Sequence, residues 1–138
     1  VNKYKEKLKL YFKNVFDENG ILNNEEKLER TIEEMKQFIE DKSAIIIGAF
    51  QEELLGFIWG YKKNVNEKTR IHINYFVVNE KYRKQGIGSK LIGKIYEIAK
   101  EMQIEEVELM VTAKNIPAVT FYKGQGFEVE RVKLCKKI

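Results

Sequence analysis

The chain of 138 residues carries one cysteine, one histidine, one proline and one tryptophan. Each scarcity excludes something. Cys135 alone forms no internal disulfide and no cysteine-based zinc cluster. His72 alone forms no multi-histidine metal site. One proline and nine glycines exclude collagen-like or linker-dominated sequence. Long apolar runs are also missing: Ala44–Phe50 and Leu54–Tyr61 fall well short of the ~20 residues that span a bilayer. No charged-then-apolar leader opens the sequence. The expectation is a reduced, soluble, cytoplasmic protein with no metal and no membrane partner.

What is present suffices for one core. The chain is 43% hydrophobic and 33% charged, which excludes wholesale disorder. Its length matches a single domain over residues 1–138. The net charge of +4 is mild, and its distribution is more telling. Seven acids (Asp17, Glu18, Glu25, Glu26, Glu29, Glu33, Glu34) face only Lys27 and Arg30 between positions 17 and 34. Basic residues gather at Lys3–Lys9, at Lys81–Lys84 and at Lys133, Lys136 and Lys137. The plain reading of each cluster is a solvated face; the alternative is two electrostatic regions on one domain.

Hydrophobic spacing predicts the elements. Leu8, Tyr11, Phe12, Val15 and Phe16 form a helical stripe, and Asn19-Gly20 reads as a turn. Asn24 caps a second helix, with Glu25 and Glu26 in its first turn and a stripe from Leu28 to Ile39. Ala44–Phe50 and Leu54–Lys62 read as buried strands joined by a tight turn, and Thr69–Val78 as a third strand after a polar loop. Ser89–Met102 returns to helical period. Glu105–Thr112 alternates as a strand, and Asn115 with Pro117 opens a short helix through Tyr122. Phe127–Leu134 reads as a last strand. The order gives an α/β domain with an antiparallel start and a βαβ-like second half.

The segment Phe76–Gly88 carries the strongest chemical signal. A glycine-rich turn between strand and helix brings backbone N–H groups, and the positive end of the helix dipole, to an anion. Arg83, Lys84 and Lys90 add charge. The plain alternative is an ordinary strand–turn–helix corner. Two other anion motifs fail on spacing. Gly88 is followed by Ser89-Lys90, the wrong order for a Walker A loop, and Leu91 stands where a dinucleotide fingerprint needs glycine.

Arg83-Lys-Gln-Gly86-Ile-Gly88, then Asn115-x-x-Ala118-x-x-Phe121-Tyr122 and Gly126-Phe127, together resemble the GNAT superfamily of N-acetyltransferases. The resemblance runs from about Ser43 onward. It implies an α/β (α+β) fold with a mixed central sheet of about six or seven strands, flanked by about four helices, whose splayed strands form an acetyl-coenzyme A cleft. It implies that Arg83, Lys84, Gln85, Gly86, Ile87, Gly88 and Ser89 hold the pyrophosphate. Phe76, Val77 and Val78 pair with the pantetheine arm and polarise the acetyl carbonyl, and Asn115 bonds the same arm. Tyr122 is implied as the general acid that protonates the departing thiolate; its alternative is a core aromatic beside Phe121. His72 matches a strand position that holds a base in some members, with Asn74 expected on the same strand face to hold a water. Its alternative is simple packing, with water as the base.

Two departures stand out. The family opens with a strand, whereas here a helix begins almost at once; that strand is absent, very short, or formed by Val1–Tyr4. Glu80 stands near a common proline position. The acceptor side is the least specified. The acidic region suggests a small cationic amine, with Tyr11, Phe12 and Phe16 as a wall or core and Trp59 and Tyr61 as pocket border or core. The rival acceptor is a peptide amine. A non-catalytic acetyl-coenzyme A sensor is a third reading, and a nucleic-acid binder a weaker one, because no nucleic-acid motif is present. The resemblance allows a monomer or a homodimer.

Overall fold

The computed structural model describes all 138 residues. After a short 3₁₀ turn at Asn2–Tyr4 come α1 (Lys5–Glu18) and α2 (Glu25–Glu40). Strands β1 (Ala44–Gln51), β2 (Glu53–Val65) and β3 (Lys68–Val78) follow, then α3 (Ile87–Glu101), β4 (Glu106–Leu109) and α4 (Ile116–Gly124). One sheet runs β1-β2-β3-β4, antiparallel across the first three and parallel between β3 and β4.

The helix stripes explain which face each helix covers. Leu8, Tyr11, Phe12 and Phe16 of α1 and Leu28, Ile32 and Met35 of α2 are buried against Phe57, Trp59 and Val77 of the sheet. Leu91, Ile92 and Ile95 of α3 are buried against Ile58, Ile71 and Ile73 on the opposite face. Asn24 caps α2 by accepting from the Lys27 N–H at 2.9 Å. Lys9, though buried, is ion-paired to both Glu25 and Glu29, which ties α1 to α2.

That pair has a pH signature. Hydrogen bonds from Lys9 and Lys5 hold Glu29 down to about 2 from the ordinary 4.5. Its stabilising share is therefore present above about pH 4.5 and is lost as pH falls toward 2. Glu29→Gln is expected to start from a lower urea midpoint at pH 7. It should also lose less midpoint than wild type on acidification through that window; equal losses in both proteins would refute the assignment.

The sheet is smaller than the resemblance implied: four strands stand where about six or seven were expected, with the four helices in place. Val1–Tyr4 supplies no strand, because its residues close a 3₁₀ turn through the Tyr4 N–H to the Val1 carbonyl. Phe127–Leu134 supplies none either. It has β-prone residues but no strand to pair with, and Val129, Val132 and Leu134 are exposed. The β2–β3 loop is shorter than its polar sequence suggested. Asn66 and Glu67, both at positive φ, close a two-residue hairpin between Val65 and Lys68.

A bulge in β3 sets up the site. Trp59 pairs with Tyr75 and Gly60 with Ile73, so Asn74 is left without a partner. Gly60 permits the close approach: a Cβ there would lie 2.9 Å from the His72 carbonyl oxygen. Pairing between β3 and β4 stops one step before the bulge, at Ile73 with Leu109. Beyond it Asn74–Val78 has no strand neighbour on the β4 side.

Candidate active site

The strand edge, the loop before α3 and the second half of α4 meet at this opening. The Phe76 ring packs edge-on against Phe121 at 5.8 Å and lies 6.2 Å from the Tyr122 ring. A Cβ at Gly88 would rest on Phe121 and Phe76 at 3.5–3.6 Å, so the first turn of α3 is part of the same cluster. Gln125 ties the far end of α4 to α3. Its amide donates to Ser89 Oγ at 3.4 Å, and its carbonyl accepts from the Tyr96 hydroxyl at 3.2 Å.

The loop itself is built to receive an anion. Gly86 is the N-cap of α3 in the left-handed region, with φ 82°, and Lys84 before it also has positive φ, 64°. No side chain caps the helix, and its first turn holds no acid. The N–H groups of Ile87, Gly88 and Ser89 have no acceptor within the chain. Three unpartnered donors at the positive end of a 15-residue helix fit a phosphate group. Arg83 is oriented elsewhere. Its Nε donates to the Val78 carbonyl at 3.1 Å, and its guanidinium lies 3.4 Å from Glu18. It braces the corner between β3 and the loop.

Tyr122 is the best-defined side chain of the group. Phe121 and Phe127 each lie 5.6 Å from its ring. Burial pushes its hydroxyl up to about 12, so the phenol is neutral at all ordinary pH. No group of the chain hydrogen-bonds that hydroxyl, which leaves it available as a donor. Asn115 caps α4 by accepting from the Ala118 N–H at 3.4 Å, which leaves its side-chain NH₂ without a protein acceptor.

His72 lies apart from this cluster. Ile71 and Ile73 face α3, so His72 between them faces the opposite side of the sheet, where its ring lies 5.2 Å from Tyr61. Its Nδ1 is 2.6 Å from Glu108 Oε2, across the parallel pair. Asn74, two residues on, is exposed and lies at the bulge without a partner on β2. Glu108 was not among the residues singled out in the sequence. Alternation in Glu-Val-Glu-Leu puts Glu106 and Glu108 on one face, but only the register brings one of them to His72.

The acceptor-side residues sort clearly. Tyr11, Phe12, Phe16 and Trp59 are core, each at most 4% exposed, and only Tyr61 borders His72. Five of the seven acids of the acidic region are ion-paired: Glu25 and Glu29 with Lys9, Asp17 with Lys13, Glu18 with Arg83 and Glu33 with Lys36. A cavity of about 530 Å³ lies away from this chemistry, between the start of α1 and the β1–β2 turn. No helix is long and apolar enough to cross a membrane.

Comparison with known proteins agrees with this geometry. Residues 10–127 match the model of the acetyltransferase (GNAT) family. An N-alpha-acetyltransferase of Sulfurisphaera tokodaii is 30% identical over 110 residues, covering 73% of this chain and 64% of that protein. N-alpha-acetyltransferase 30 of Dictyostelium discoideum is 36% identical over 75 residues, covering 54% and 40%. The chain thus spans less than two thirds of either relative's length. A solved Pyrococcus furiosus protein, proposed to be an acetyl transferase, superposes with a TM-score of 0.72 at 27% identity over 99% of this chain and 95% of that one. An anion-ready helix start beside an open strand edge, in a sequence matched over most of its length, makes this chain a member of the GNAT acetyltransferase family.

Proposed function

We propose that the chain is an N-acetyltransferase that moves an acetyl group from acetyl-coenzyme A directly to the α-amine of a peptide. The observation that carries the reading is the unpaired edge of β3 beside three free N–H groups at the start of α3. When bound, acetyl-coenzyme A supplies an activated thioester. The N–H groups of Ile87, Gly88 and Ser89 hold its pyrophosphate, with Lys84, Gln85 and Gly86 shaping the loop and Arg83 bracing it. The edge of Phe76, Val77 and Val78 and the Asn115 amide hold the pantetheine arm. A β3 N–H directed at the carbonyl oxygen stabilises the charge that grows there in the transition state. Tyr122 donates to the sulfur as it leaves.

His72 is the base, on the other side of the opening, so that the amine enters from the α1–α2 side of the sheet. Two observations favour a peptide over a small polycation. The relatives above are named for N-alpha-acetylation, and five of the seven acids that would draw a polycation are already paired to lysines or Arg83. Thiol release with acetyl-coenzyme A is expected on short peptides with free N-termini and not on polyamines or aminoglycosides. Turnover on the free amines alone would overturn the acceptor. Tight cofactor binding with no turnover on either panel would favour a sensor.

A further inference from the structure

We propose that Glu108 is a positioning residue for His72: it fixes the proton on Nδ1 and so turns the lone pair of Nε2 toward the incoming amine. The inference rests on His72 being the base, and extends it to a residue 36 positions away on another strand. A carboxylate only accepts hydrogen bonds, so the 2.6 Å contact requires Nδ1 to be the donor. The neutral imidazole then has its lone pair on Nε2. That atom has no hydrogen-bond partner in the chain. Because Arg70 Nε is the one buried side-chain nitrogen or oxygen without a partner, Nε2 retains access to solvent.

Glu108 is itself held ionised and in place. Arg70 lies 3.4 Å from its Oε1 and Lys63 3.5 Å from its Oε2. Arg70 is anchored in turn by Glu106 at 2.7 Å and by Glu130 at 2.8 Å. Burial pushes the Glu108 carboxyl up, but the hydrogen bond from His72, the charge of Lys63 and the hydrogen bond from Arg70 outweigh it and hold it below the ordinary carboxylate range. The groups around the imidazole are therefore Tyr61 and Lys63 from β2, Arg70 from β3, Glu106 and Glu108 from β4, and Glu130 from the C-terminal segment.

The proton balance is simple. An ammonium proton passes to Nε2 and the freed amine lone pair forms the new C–N bond; the C–S bond then breaks with its electron pair on sulfur, the cationic nitrogen sheds its second proton, that proton is made good on the sulfur through Tyr122 and solvent, and the imidazolium returns the first to solvent. The Glu108 charge stabilises the imidazolium while it exists. Position supports the role. The His72–Glu108 pair is next to the last register step between β3 and β4, immediately before the strands part.

The test uses the full chain, acetyl-coenzyme A and a peptide acceptor. kcat and KM are measured against pH for Glu108→Gln, Glu108→Ala, His72→Ala and the double alanine variant, and melting temperature is recorded for each. Glu108→Ala is expected to lower kcat about tenfold with the acetyl-coenzyme A KM unchanged. Glu108→Gln, whose carbonyl still accepts from Nδ1 but which carries no charge, should lose less of kcat than Glu108→Ala. In the His72→Ala background, Glu108→Ala should change kcat by less than about twofold.

A tenfold loss from Glu108→Ala in that background too would mean that Glu108 acts without His72, and would overturn the proposal while leaving His72 as base. Wild-type kcat in His72→Ala would overturn both. The ¹⁵N spectrum of His72 needs no turnover. It is expected to show the proton on Nδ1 in wild type and Glu108→Gln, and to shift toward Nε2–H in Glu108→Ala; an unchanged spectrum in Glu108→Ala would sink the positioning role by itself.

Discussion

Tyr122→Phe is expected to lower kcat about 100-fold while acetyl-coenzyme A affinity stays within about twofold. The ring is held by Phe76, Phe121 and Phe127, and phenylalanine keeps every one of those contacts. The hydroxyl has no protein partner, so its removal leaves no orphaned polar group and the melting temperature should stay put. What is lost is the donor to the departing sulfur. The magnitude sits at the low end for acid catalysis for a physical reason. Burial raises the phenol to about 12, well above a thiol near 8.5, so full proton transfer is uphill. The gain comes from a hydrogen bond that strengthens as charge builds on sulfur. For the same cause Tyr122 does not ionise below about pH 10, and any alkaline limb seen in wild type should persist in Tyr122→Phe. Calorimetry with acetyl-coenzyme A, paired with thiol release, decides the matter. A kcat within twofold of wild type would make Tyr122 a packing residue.

The sequence was most legible where local rules act alone. The α2 boundary follows from Asn24 and its acidic first turn, and the α1 and α3 stripes name the core residues that the fold buries. It was least legible where strands depend on partners. Residues 127–134 alternate well enough to read as a strand, yet without a neighbouring strand the pattern has nothing to pair with. Strand β4 ends at Leu109 instead of Thr112 because β3 bulges opposite the next step. The hairpin at Asn66-Glu67 lacks the glycine that announces such turns, and its residues adopt positive φ all the same.

The candidate site divides along the same line. Gly86, Gly88, Asn115 and Tyr122 lie in two contiguous segments with recognisable spacing, so they could be named from sequence. Glu108 could not, because its link to His72 exists only in a parallel register set by the β3–α3–β4 crossover. The pairing of the acids was hidden for a related reason. The acids between positions 17 and 34 look unbalanced in the linear sequence, yet α1 lies alongside α2 and returns Lys9 and Lys5 to them.

Gly86→Asp is expected to weaken acetyl-coenzyme A binding about 30-fold, close to 2 kcal/mol, without unfolding the protein. The substitution is informative because its structural effects are small. At φ 82° a side chain is strained, by roughly 1 kcal/mol, although aspartate tolerates this region better than most residues. A Cβ at this position meets no atom within 4 Å, so nothing in the protein must move. Aspartate is also a favoured N-cap, worth roughly a few tenths of a kcal/mol over glycine, because its carboxylate accepts from the N–H groups of the first turn. Those are the donors assigned to the pyrophosphate. The new side chain would occupy the site as an internal anion and repel the external one. Acetyl-pantetheine, which has no pyrophosphate, supplies the control: its turnover should be almost unaffected. Equal losses for acetyl-coenzyme A and acetyl-pantetheine would mean that the substitution distorts β3 or α4 and not the anion site. Wild-type affinity for acetyl-coenzyme A would mean that the three free N–H groups at the start of α3 do not hold the phosphate at all.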